Sequence, residues 1–142
     1  VLGQGLACLS LLLAVAYGVE ALMAGPVTMK TPYHQVPTLD KWVLVGVALL
    51  VSPWLEELVY RGLLQGTWQR QMGPRSAWPV LGTLLLFTLS HADYRETPLA
   101  QGYVAMLGAV LGGMRYWSGS ILPGVAVHAA NNLVAAWGLL AR

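Results

Sequence analysis

Pro53-Trp54-Leu55-Glu56-Glu57-Leu58-Val59-Tyr60-Arg61-Gly62 sets two adjacent carboxylates and a guanidinium inside an otherwise apolar run. From Trp42 to Trp54 there is no charged side chain, and after Arg61 the sequence returns to Gly62-Leu63-Leu64. A soluble helix carries polar residues along one face. Most of this flank has no polar face, which is the pattern of a segment in lipid. An ionisable group at the centre of a spanning helix costs at least ~2.5–3.5 kcal/mol on insertion scales, so such groups face a bundle interior, find partners and mark functional sites. Three of them within six residues put the functional centre of the chain here.

Helical geometry sorts the three. Glu57 and Arg61 are four apart, one turn above each other, with the acid on the favourable N-terminal side. Glu56 points about 100° away and lacks that partner; its neighbour at the next turn is Tyr60, a hydrogen-bond donor. The expectation is a division of labour, in which Glu57 and Arg61 form a structural pair that makes burial tolerable and Glu56 is left for chemistry.

Composition agrees with a lipid environment. Of 142 residues, 56% are hydrophobic and 10% charged, and the mean hydropathy is +0.59; a soluble domain carries about 25% charged residues. The net charge is +2 and the eight basic residues are scattered, so no nucleic-acid partner is expected. Cys8 is the only cysteine, which excludes a disulfide framework or a cysteine metal cluster within the chain. The sequence opens at Val1 without basic residues ahead of its first apolar run; this is not the pattern of a signal peptide, and a longer parent chain is expected.

The apolar runs give about five spanning helices, at residues 1–24, 42–70, 76–91, 99–116 and 121–140, since ~20 residues cover the hydrocarbon core. Glu20 reads as an interfacial residue near the end of the first. Pro26, Pro32 and Pro37 keep residues 27–41 a loop, and His34 lies in it without a spaced partner. Pro53 kinks the second helix one turn before Glu56 and frees backbone carbonyls there. Gly73-Pro74 and Ser118-Gly119 mark turns. Gly108 and Gly112 give the fourth helix a face for close packing. Lys30, Lys41, Arg95 and Arg142 fall on one side of such a bundle and Arg70, Arg75 and Arg115 on the other, too even a division to orient it. The fold expected is an all-α, polytopic membrane helical bundle. It forms a single domain over residues 1–142 with a catalytic core at about 52–140 and the active site inside.

Two further polar groups lie at membrane depth, His91 at the end of the third helix and His128-Ala129-Ala130-Asn131-Asn132 in the fifth. His128 and Asn132 share a helix face. Gly73-Pro74 is the midpoint between positions 56 and 91, so a hairpin puts Glu56 and His91 at one level, each ~25 Å from the turn. His128, at roughly 15 Å from its own turn, is expected somewhat lower. A carboxylate, two imidazoles and a carboxamide that converge suit hydrolysis. The carboxylate activates water and imidazole or amide donors hold an oxyanion. Glu56, His91 and His128 could equally be ligands of a catalytic zinc with a fourth position open to water, although the H-E-x-x-H helix signature is absent.

Glu56-Glu57-x-x-x-Arg61, Phe87-x-x-x-His91 and His128-x-x-x-Asn132, in that order, resemble the three motifs of the CPBP family of intramembrane proteases (CAAX proteases and bacteriocin-processing, or Abi, proteins). The resemblance covers about residues 52–140 and implies peptide-bond hydrolysis in or near the bilayer. It implies Glu56 as the catalytic glutamate, His91 as the group that orients or activates water, and His128 with Asn132 as the oxyanion site. Asn131, three residues from His128, is the substitute for Asn132 if the helix is distorted. Metalloprotease descriptions of the family make the Glu and His residues metal ligands. A metal-free glutamate mechanism is the slightly preferred expectation, with zinc as the alternative. The family usually has more spans than the five counted here. The expected setting is a bacterial plasma membrane, with lipid and a membrane-associated protein or peptide substrate as partners. A non-enzymatic scaffold or bacteriocin-immunity protein, and a small transporter or proton relay, are the competing readings. The relay should show repeat symmetry, and none is visible.

Overall fold

A computed structural model describes residues 38–91 and 98–140, with side chains described for 42–91 and 98–136. These residues form four helices, and no strand occurs among them. The first, α1, runs unbroken through α-helical Thr38–Gly46, π-helical Val47–Val51, α-helical Ser52–Glu57, π-helical Leu58–Gln65 and α-helical Gly66–Met72. Then come α2 (Trp78–Ser90), α3 (Pro98–Ser118) and α4 (Leu122–Leu140). Of the five expected spans, the one at residues 1–24 lies outside the described residues. Trp42–Met72, 31 residues long, is long and apolar enough to cross a membrane. Trp78–Ser90 is apolar but has only 13 residues, short of the ~20 a full span needs. The five-span count is therefore not reached among the described residues.

Pro53 explains the first wide turn of α1. A proline ring clashes with the carbonyl four residues back and supplies no N–H, and a helix can absorb this by widening into a π turn. Ser52 N–H accordingly bonds Val47 O, five residues back. In that register the carbonyl that Pro53 would have bonded is Ala48 O. It is satisfied from another helix, because Asn132 Nδ2 on α4 donates to it at 2.8 Å. In the second wide turn, Arg115 Nε of α3 donates to Arg61 O at 3.3 Å. The backbone of α1 is thus completed by side chains of its neighbours.

The bundle is apolar outside and polar within. Leu50 and Trp54 are 72% and 51% exposed, whereas Glu57, Arg61 and Gln65, on one stripe of the same helix, are 0% exposed. That inversion is what lipid favours outside and interhelical hydrogen bonding favours inside. The stripe faces the two closely packed glycines of α3. Arg61 Nη2 donates to Gly108 O at 3.2 Å and Gln65 Nε2 to Gly112 O at 3.0 Å. A Cβ on Gly108 would stand 3.0 Å from Leu84 and 3.1 Å from Phe87, and one on Gly112 would stand 3.1 Å from Val80, so small residues here let α2 and α3 pack tightly. Leu107, Leu111 and Met114 of α3 with Val127 of α4 make the apolar core beneath. Gly73, with φ 98°, ends α1 in a conformation that only glycine adopts freely. It turns the chain into α2 and brings the end of α2 back level with Glu56.

Candidate active site

Glu56 and Glu57 close the α-helical segment between the two π turns of α1. Pro53 sets the first turn, and π segments often accompany functional sites. Glu56 Oε1 accepts a hydrogen bond from Ser52 Oγ, one turn earlier. The expected donor, Tyr60, instead packs its ring edge-on against Phe87 with centroids 5.3 Å apart. With Oε1 held by Ser52, Oε2 faces two imidazoles, at 3.9 Å from His91 Nε2 and 3.7 Å from His128 Nε2. This oxygen is buried and has no hydrogen-bond partner of its own among the described residues.

Both rings are aimed from behind. His91 stands just after the last turn of α2, where helix carbonyls lack intrahelical donors, and its Nδ1 lies 2.8 Å from Phe87 O. A carbonyl only accepts, so Nδ1 carries the proton and Nε2 of the neutral ring is an acceptor. His128 Nδ1 lies 3.2 Å from Glu57 Oε1, and since that carboxylate oxygen accepts, Nδ1 carries a proton here too. His128, expected somewhat lower, nonetheless reaches Glu56 with its side chain, Nε2 standing 3.7 Å from Oε2.

Glu57 therefore has two roles. Arg61 Nη1 donates to its Oε1 at 2.9 Å, the pairing expected from the spacing, and the same oxygen holds His128. Its other oxygen lies against Gly124 near the start of α4. A Cβ there would be 2.8 Å from Glu57 Oε2, so only glycine leaves room for the carboxylate. Phe87 is wholly buried between these groups. The Arg61 guanidinium lies 4.4 Å over its ring, and the His91 and His128 rings are 4.5 and 6.0 Å away. The arginine is thus held by a carboxylate, a carbonyl and an aromatic face, which together make its burial tolerable.

Glu56, His91 and His128 come together. Asn132 donates one Nδ2 hydrogen to Ala48 O at 2.8 Å, and its Oδ1 accepts from Asn131 Nδ2 at 3.4 Å. Asn131 is engaged by the Tyr103 hydroxyl. Ala48 O requires the NH2 side of Asn132 to face it, which leaves one Nδ2 hydrogen for another acceptor. Asn132→Ala is expected to lower stability by about 1–3 kcal/mol by leaving that carbonyl unpaired, measured as an earlier unfolding transition in detergent. An unchanged transition would mean that Ala48 O finds another donor.

Sequence reasoning passed over four contributors. Ser52 obeys the same four-residue rule that linked Glu57 to Arg61, and Gln65 extends the rule by one more turn, so both were findable. Phe87 stands in the Phe87-x-x-x-His91 motif, but an apolar ring in an apolar helix carries no mark of its place between the charged groups. Gly124 carried no sequence signal, because its place opposite Glu57 arises only from the packing of α4 on α1.

Zinc bound at ~2.0–2.1 Å in tetrahedral geometry would hold its donors about 3.4 Å apart. The spacings from Glu56 Oε2 are wider, and among the described residues no group of three His, Cys, Asp or Glu side chains is arranged to hold a metal ion.

No curated protein and no solved structure matches the chain. A family model does match, that of the Type II CAAX prenyl endopeptidase Rce1-like proteins, over residues 38–134. The match takes in α1, α2 and α3 whole, α4 as far as residue 134, and every residue of the cluster, from Ser52 to Asn132. A membrane-embedded chain, helical through its described residues, with a carboxylate and two imidazoles converging in its interior is thereby identified by more than half its length: it belongs to the Type II CAAX prenyl endopeptidase Rce1-like family.

Proposed function

We propose that the chain is an intramembrane endopeptidase in which Glu56 activates water without a metal. The observation that carries this reading is the convergence of His91 Nε2 and His128 Nε2 on the one unpaired oxygen of Glu56. A water donating one hydrogen to Glu56 Oε2 and the other to His91 Nε2 is held with its lone pairs outward. Glu56 takes the proton as the water oxygen bonds the scissile carbonyl carbon, and the carbonyl π electrons move onto oxygen. In its doubly protonated form His128 donates from Nε2 to that oxyanion, and the remaining Nδ2 hydrogen of Asn132 is a second donor. Collapse of the intermediate breaks the C–N bond, and Glu56 returns its proton to the leaving amine.

Ser52, Glu57 and Phe87 O act through these groups as positioning partners. Ser52 fixes which oxygen of Glu56 is free, Glu57 orients His128, and Phe87 O orients His91. The substrate is a membrane-associated protein or peptide, because the cluster opens inside a bundle whose outer face is apolar.

The test is cleavage of a quenched, membrane-anchored peptide library that includes prenylated members, by the purified inserted protein with and without chelator. Cleavage at the same rate in both conditions is expected. Loss of cleavage with chelator and recovery with zinc would replace the metal-free mechanism by the zinc one, and no cleavage of any member would remove the peptidase reading.

A further inference from the structure

At the end of the bundle where α1 turns into α2, away from Glu56, there is a cleft of about 350 Å³ lined by Gly66, Gln69, Arg70, Arg115, Tyr116 and Gly119 among others. Two guanidinium groups meet in it. A Cβ on Gly66 would stand 3.5 Å from Arg115 Nη2 and 3.6 Å from Arg70 Nη1, so both side chains reach the same point over the glycine. Each is held by a single atom. Arg115 Nε donates to Arg61 O at 3.3 Å and Arg70 Nη2 to Thr67 Oγ1 at 2.9 Å. Arg115 Nη1, Arg115 Nη2 and Arg70 Nη1 therefore remain for a ligand. Among the described residues neither arginine forms an ion pair.

Two cations side by side without a carboxylate repel each other, and an anion between them reverses the sign of that interaction. Arginine forks match the oxygens of phosphate, with N–O distances of about 2.7–2.9 Å. The surroundings place the cleft at the lipid headgroups. Arg70 lies in the last turn of the 31-residue apolar helix. Trp78 and Trp117, 72% and 75% exposed, stand at the same end of the bundle, as interfacial aromatics do.

We propose that this cleft is a phosphate-binding site, distinct from the Glu56 cluster, that takes the phosphate of an anionic phospholipid headgroup or free inorganic phosphate. Two arms separate the sources. In the first, the protein is reconstituted in nanodiscs of equal phosphatidylglycerol and phosphatidylcholine, and the lipid that remains bound is measured by native mass spectrometry. Phosphatidylglycerol is expected to be retained over phosphatidylcholine, and Arg70→Gln and Arg115→Gln are each expected to cut that enrichment about fivefold, the effect of one arginine at a charged membrane surface. In the second, delipidated protein in detergent is titrated with inorganic phosphate. Saturable binding there that both variants weaken, without lipid enrichment in the first arm, supports the site with free phosphate as its ligand. Arg70 is exposed, so its substitution tests the cleft even if Arg115→Gln disturbs folding through Arg61 O. Equal retention of the two lipids together with no phosphate binding overturns the proposal, and so does an Arg70→Gln variant that matches the wild type in both arms.

Discussion

Glu56→Gln is expected to leave an inserted, folded protein whose kcat for a cleaved peptide falls by about 10²- to 10⁴-fold, the usual contribution of a positioned base. The substitution is nearly isosteric. The amide oxygen can still accept from Ser52 Oγ, and the Glu56 side chain is 26% exposed and in no close ion pair, so folding loses little. What disappears is the ability to take a proton from water. The new NH2 could donate to His91 Nε2, the acceptor that holds the water, and so occupy the position of the nucleophile. The measurement is steady-state cleavage beside an unfolding curve of the same preparation, with KM expected to change little because Glu56 binds water and not the peptide. A membrane scaffold or immunity protein would show no cleavage to lose and would keep its partner binding in the variant. If wild type and Glu56→Gln cleave at equal rates, the base has been assigned to the wrong residue.

The parts of this arrangement that could be read beforehand are those fixed by spacing along one helix or across one turn. The uncharged flank from Trp42 to Trp54 announced the apolar outer face, the four-residue interval announced the Glu57–Arg61 pair, and the midpoint at Gly73-Pro74 put His91 level with Glu56. Pro53 was expected to free carbonyls near the carboxylates, and the freed group is Ala48 O. Its partner could not be foreseen, since Asn132 lies 84 residues further along and had been expected at the oxyanion alone. The two π turns carry no compositional mark, and spacing alone does not choose between Ser52 and Tyr60 as the neighbour of Glu56, since each stands four residues from it. The role of Glu57 was half legible. Its pairing with Arg61 follows from periodicity, whereas its hold on His128 depends on Gly124 letting α4 approach, and that is a property of packing between helices.

That double role of Glu57 gives the largest expected effect on stability. Arg61→Met removes three interactions of a wholly buried guanidinium, with the Glu57 carboxylate, with Gly108 O and with the face of Phe87, and leaves Glu57 buried without its counter-charge. Breaking one side of a buried pair costs about 3–5 kcal/mol, so the single variant is expected to unfold well below the wild type and to be inactive. The paired replacement Glu57→Leu with Arg61→Met takes out both charges, and apolar groups of similar size are often as stable as the ion pair they replace. Most of the lost stability should therefore return. Activity should not, because His128 Nδ1 would have lost the carboxylate that fixes its ring and proton, and its Nε2 would no longer be aimed at Glu56. Unfolding in detergent and peptide cleavage on the three proteins separate the two roles. A double variant that is stable and cleaves as fast as the wild type would confine Glu57 to the pair with Arg61. One that stays as unstable as Arg61→Met would show that Gly108 O and Phe87, and not the carboxylate, need the guanidinium. Stability restored without cleavage is the result expected if the second glutamate holds the fold together and, through the same oxygen, positions the histidine.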